Sequence, residues 1–166
     1  MVVMADKSVP TSDHIRDIIS FVEASPTSYH AVAELTRRLE QAGFQRLEET
    51  ESWPSVEGRR YVVRDGAVIA WITPEKVTPQ LGARIVGSHT DSPSFKLKPN
   101  ATVTNQGWQQ VGMEVYGGGL LNSWLDRDLG LSGRLVTCDG QAHLVRTGPI
   151  LRISQLAPHL DRTVND

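Results

Sequence analysis

Cysteine is nearly absent from this sequence: Cys138 is the single one in 166 residues. One thiol builds neither an internal disulfide framework nor a cysteine-rich zinc ribbon. Basic charge is not in excess either, because 17 Lys and Arg stand against 19 Asp and Glu for a formal net charge of -2. Nothing in that balance draws the chain to nucleic acid or to an anionic membrane surface. No apolar run approaches the ~20 residues of a membrane span, and the polar start Ala5-Asp6-Lys7-Ser8 has no signal-peptide core. Neither nucleic acid nor membrane is therefore expected as a partner, and a cytoplasmic location is expected. Two motifs are missing as well. No Gly-Lys-Ser/Thr follows Gly117-Gly118-Gly119, which argues against a phosphate-binding loop, and Ser92 has no Gly-x-Ser-x-Gly setting for a nucleophile. Trp53, Trp71, Trp108 and Trp124 lack the interleaved basic residues of a base-stacking surface and read as core or interface residues. What remains is the composition of a folded domain, 39% hydrophobic and 22% charged.

The apolar pattern predicts two helices and then strands. Residues 1–11 have no periodicity and read as a loose arm. Ile15, Ile18, Ile19 and Val22 recur at helical spacing behind a Ser12 cap, and Ser25-Pro26 ends that helix. A second helix starts at Ser28, with Val32, Leu35, Leu39 and Ala42 inside, a Glu34–Arg38 pair outside and Gly43 as its C-terminal stop. Tyr61–Arg64 and Ala67–Ile72 form a hairpin about Asp65-Gly66 in a type I′ turn. Arg84–Ser88 reads as a buried strand opening onto His89. Beyond Pro99 the texture is alternating, with Val111, Met113 and Val115 on one face, a break at Gly117–Gly119, and a hairpin about Asp139-Gly140. A domain boundary is placed near residues 95–105.

Candidate chemistry concentrates in Gly87-Ser88-His89-Thr90-Asp91-Ser92-Pro93. Ligands in open α/β sheets bind beyond the carboxyl ends of strands, where His89 is expected. Imidazole is a common zinc ligand, and its second ring nitrogen usually faces a carboxylate or carbonyl. Asp91 is either that carboxylate or a group that steers a neighbouring catalytic residue. The alternative is purely structural: His89 caps a strand and Asp91 opens a turn before Pro93. Zinc takes three or four protein ligands, and the other candidates are sparse. Asp126 and Asp128 read as a surface salt-bridge cluster, His30 as a cover for its helix's first turn, His143 as an exposed strand residue, and Glu48-Glu49 as a solvated turn.

Five ordered blocks resemble the M18 family of metallo-aminopeptidases, the aspartyl aminopeptidase group. They are Ser25-Pro26-Thr27-Ser28-Tyr29-His30-Ala31-Val32, Gly87–Pro93, Val115–Gly119 with Ser123–Leu129, Pro149–Ile153, and Leu156-Ala157-Pro158-His159-Leu160. The resemblance implies an α/β fold: two N-terminal helices with part of a mixed-sheet peptidase domain over 12–98, then part of an inserted β-rich dimerisation domain over 99–166. It implies a homo-oligomeric cytoplasmic enzyme that takes N-terminal, preferably acidic, residues from a peptide substrate with two divalent metals, usually zinc. On that resemblance His89 is a metal ligand, Asp91 is the carboxylate that orients it, and His159 reaches a neighbouring subunit's active site. Pro158 stands where the family carries an aliphatic residue. The family's remaining ligands, including a bridging aspartate and a Glu-Glu pair, are expected past Asp166, so the 166-residue chain is expected to be inactive alone. The alternative is a non-catalytic fragment that acts as a subunit-binding module.

Overall fold

A computed structural model describes residues 12–53, 57–76, 78 and 82–163. The arm expected over 1–11 lies outside the described residues. The fold is α/β; among the described residues two α-helices precede nine strands, and the chain divides into two units, Met1–Thr90 and Asp91–Asp166.

In the first unit α1 spans Asp13–Ala24 and α2 spans Ser28–Gln41. The Ser12 side chain caps α1 by accepting from the Ile15 N–H, as its position predicts. α2 begins at Ser28, as its pattern predicts, and Thr27 is its cap. Its Oγ1 accepts the His30 N–H and also bonds His30 Nδ1 at 2.8 Å, so His30 does cover the first turn. The C-terminus closes as a Schellman motif. Gly43 takes φ 79°, its N–H donates to the Glu40 carbonyl, and the Phe44 N–H reaches back to the Leu39 carbonyl.

Strands β1 (Gln45–Arg46), β2 (Gly58–Arg64) and β3 (Ala67–Thr73) make a mixed sheet, parallel between β1 and β2 and antiparallel between β2 and β3. The small core consists of Ala31, Val32, Leu47, Tyr61 and Val62, with Tyr61 0% exposed. Its hydroxyl donates to Glu40 Oε1 at 2.6 Å, and burial first, then this bond, pushes the phenol up to about 12.

The apolar stripe of α1 faces solvent. Ile15, Ile18, Ile19 and Val22 are between 49% and 63% exposed. The helices meet instead through Arg38, which grips the Asp17 carboxylate with two hydrogen bonds and lies over the Phe21 ring. A helical stripe records which face suits burial; it does not supply the surface that buries it. The type I′ turn is also corrected. Asp65 has φ 51°, but Gly66 stays outside the left-handed region, whereas type I′ needs both central residues there.

The second unit contains β4 (Ser94–Asn105) paired with β5 (Trp108–Tyr116), β6 (Asp128–Leu129) with β9 (Leu151–Arg152), and β7 (Ser132–Val136) with β8 (Ala142–Arg146), all antiparallel. The two-residue turn with positive φ at both positions lies here, at Gln106 (50°) and Gly107 (80°). A bulge between Leu97 and Thr102 sets Pro99 out of the ladder, opposite Gly112, and proline donates no ladder hydrogen bond. Phe95 and Trp124 pack edge to face at 5.3 Å, while Trp108 is 72% exposed and serves no core.

Candidate functional site

The segment before His89 departs from expectation. Residues 82–93 form no strand, and Ile85 and Val86 are 89% and 97% exposed. A β-branched run becomes a strand only where a neighbour pairs with its N–H and C=O groups, and none of the described residues does so. The segment is fixed in the first unit by a side chain instead. Thr90 Oγ1 donates to the Gly66 carbonyl at 2.6 Å, so the residue after His89 is tied to the β2–β3 turn. That turn sits tightly on α2: a Cβ on Gly66 would stand 2.7 Å from Ser28 Oγ. His89 itself is exposed, with the Ser88 hydroxyl donating to its carbonyl at 3.1 Å.

In the second unit Asp91 is held at its carboxylate. The Tyr116 hydroxyl donates to Asp91 Oδ2 at 2.6 Å, and this bond raises the Tyr116 phenol pKa. Tyr116 ends β5 opposite Ser94 in the ladder. Gly117, at φ 72°, follows directly, and a Cβ there would meet Pro93 Cβ and Cγ at 3.3 Å. Neither Thr90 nor Tyr116 was marked as a site residue from sequence. The clue available was their presence inside two of the quoted blocks.

His159 is exposed in a turn over Ala157–Leu160, where the Leu160 N–H donates to the Ala157 carbonyl and Pro158 holds the second position that suits its fixed φ. Asp126 and Asp128 form the anticipated surface cluster, with Arg152 as their cation at 3.6 and 3.4 Å. Asp126, at φ 51°, is held by the Arg152 guanidinium on its carbonyl and by its own N–H to the Ile153 carbonyl. His143 is exposed on β8. Glu48 and Glu49 lie at an exposed turn, paired with Arg46 and Arg64.

With this geometry in place, the family model described as "Aminopeptidase I zinc metalloprotease (M18)" matches residues 21–166. The chain belongs to the M18 family. It is 54% identical over 153 residues to the probable M18 family aminopeptidase 2 of Streptomyces avermitilis, covering 92% of this chain and 35% of that protein. Among solved M18 structures, the S. cerevisiae mApe1 dodecamer superposes with a TM-score of 0.79 at 32% identity, covering 89% of this chain and 36% of the other. The M18 aminopeptidase of Thermotoga maritima gives 0.74 at 27% identity, covering 89% and 33%. The chain thus spans about 35% of the length of the curated relatives it matches.

An M18 zinc centre is not complete in these residues. Among the described residues no group of three or more His, Cys, Asp or Glu gathers in a way that could hold a metal ion. His89 supplies a suitable imidazole, but one imidazole falls short of the three or four donors zinc takes from a protein. The donors among the described residues therefore do not fit a metal site by themselves.

Proposed function

We propose that this chain is the N-terminal portion of an M18 aminopeptidase, and that the longer protein removes N-terminal, preferably acidic, residues from peptides in the cytoplasm. The family match over residues 21–166 carries this reading, and the "aminopeptidase 2" naming of its relatives supports it. In this reading residues 12–98 belong to the peptidase domain and 99–166 to a β-rich dimerisation domain. His89 is one ligand of a two-metal zinc centre whose other ligands lie beyond this chain, and Asp91 is the carboxylate that orients it. His159, already presented on an exposed turn, serves a neighbouring subunit of a homo-oligomer. The description of mApe1 as a dodecamer supports assembly in the family.

A histidine offers a lone pair only from a neutral ring, so the exposed His89 must be deprotonated when it ligates, and a carboxylate on its other nitrogen would fix the tautomer. The test compares the 166-residue chain with a version extended to the length of its relatives, on an aspartyl chromogenic substrate with added Zn²⁺, Mn²⁺ or Co²⁺. The extended protein is expected to turn over and the short chain to be silent. Metal-dependent turnover by the short chain would overturn the division of ligands. Silence of both, with stable homodimers of the short chain, would favour a subunit-binding module.

A further inference from the structure

We propose that Tyr116 is the positioning residue for Asp91: it holds the carboxylate through Oδ2 and so fixes the direction in which the rest of the group acts. The inference rests on the reading of Asp91 as an orienting carboxylate and deepens it.

Asp91 lies where the chain emerges from an irregular, exposed segment and enters β4 three residues later. Such a position leaves a short side chain several rotamers unless something selects one. Three contacts fasten this stretch to the end of β5. Ser94 pairs with Tyr116 in the ladder, Pro93 lies against Gly117, and the Tyr116 hydroxyl bonds Asp91. The first two fix backbone. The third reaches the carboxylate.

The register explains how the tyrosine can do this. Tyr116 is the last residue of β5, and the chain turns away at once through Gly117, whose φ of 72° is open to glycine at no steric cost. A side chain at Gly117 would press on Pro93, so glycine also lets Pro93, and Asp91 with it, come close to the strand end. At 2.6 Å the bond has the short length of a hydroxyl donating to a charged oxygen. A carboxylate has about four lone-pair directions, so one donor on Oδ2 orients the group without exhausting it. The raised phenol pKa of Tyr116, caused first by this bond and next by the Asp91 charge, agrees with the geometry.

The test is Tyr116→Phe in this chain, which deletes one oxygen and keeps the ring. Side-chain couplings of Asp91 measured by NMR should show one dominant rotamer in the parent and averaging in the variant, at unchanged Tm. A single rotamer retained in Tyr116→Phe would overturn the proposal. Should that variant misfold, Asp91→Asn supplies the second measurement. The Tyr116 phenol midpoint should drop toward ~10, the ordinary tyrosine value, whereas an unmoved midpoint would overturn the proposal. In the length-extended protein, Tyr116→Phe should lower kcat about 10-fold, the lower end for loss of a group that orients a site's residues, with KM unchanged. An equal loss through KM alone would overturn it. If the extended protein is inactive, the aminopeptidase reading fails, and the rotamer measurement still decides the role of Tyr116.

Discussion

Thr90 and Gly66 are joined by a 2.6 Å hydrogen bond from the threonine hydroxyl to the glycine carbonyl, across 24 residues of sequence. It is the fastening between the candidate site segment and the packed part of the first unit. Residues 82–89 are exposed, without regular structure, whereas Gly66 sits against α2. The residue after His89 is therefore tied to the first unit by its side chain and not through a strand ladder.

Thr90→Val keeps the shape and removes the donor. Loss of one partly buried neutral hydrogen bond costs about 1 kcal/mol, read as a lower urea midpoint at unchanged m-value. A midpoint that does not move would show that water replaces the contact fully. Thr90→Ser keeps the hydroxyl and should restore most of the difference.

Gly66→Ala should be worse than Thr90→Val. The added Cβ would stand 2.7 Å from Ser28 Oγ and 3.1 Å from Ser28 Cβ, so turn and helix must separate. Overpacking of this kind costs roughly 1–3 kcal/mol. Because the clash is with one residue, Ser28→Gly in the same protein should recover part of it, and a double-mutant cycle on urea midpoints measures the coupling. Strict additivity would place the cost elsewhere.

How much of this was legible in the sequence depends on whether the cause is local. Ser12, Gly43 and the Glu34–Arg38 pair act within one turn of a helix, so a reading of spacing finds them. Asp65-Gly66 was legible as a turn but not as a type, because a contact with Ser28, far off in sequence, fixes where Gly66 lies. Among the described residues, Arg84–Ser88 has strand residues without a strand partner, and α1 has an apolar stripe without a surface over it. Both concern what lies across from a segment, which composition does not record. The candidate site divides in the same way: His89 and Asp91 were proposed from their motif, while the bond of Tyr116 to Asp91 depends on the β4–β5 register.

Tyr61 makes the alkaline limit of the first unit testable. Its folded pKa of about 12 lies above the ordinary ~10 of an unfolded tyrosine. A raised folded value means that the native state keeps a proton the unfolded state has lost. The associated stability is complete below pH ~10 and is lost as pH climbs toward about 12. Tyr61→Phe should flatten that limb in urea midpoints taken between pH 9 and 12. An equally steep fall in the variant would trace it to other groups.

Glu34 sets the acid side, and the sign is opposite. Hydrogen bonds first from Arg37 and then from Arg38 pull its carboxyl down to about 2. A depressed folded value gives stability that is present above the unfolded pKa of ~4.3 and disappears as pH falls toward about 2. Geometry favours the effect: Arg37 approaches both carboxylate oxygens, at 2.7 and 2.6 Å, and Arg38 adds a third bond at 2.6 Å while holding Asp17 on α1. Exposure works against it, because the Arg37 side chain is 53% exposed and water screens the pair. Exposed ion pairs on helices are worth about 0.3–0.5 kcal/mol each, so the loss should be near 1 kcal/mol and not the several that the shift alone would suggest. Glu34→Gln should reduce stability at pH 7 by that amount and make the fall between pH 4 and 2 shallower than in the parent. Since the parent has the Arg37–Glu34 and Arg38–Glu34 pairs that the variant lacks, added salt should weaken the parent more than the variant, which urea midpoints at low and at 1 M NaCl would show.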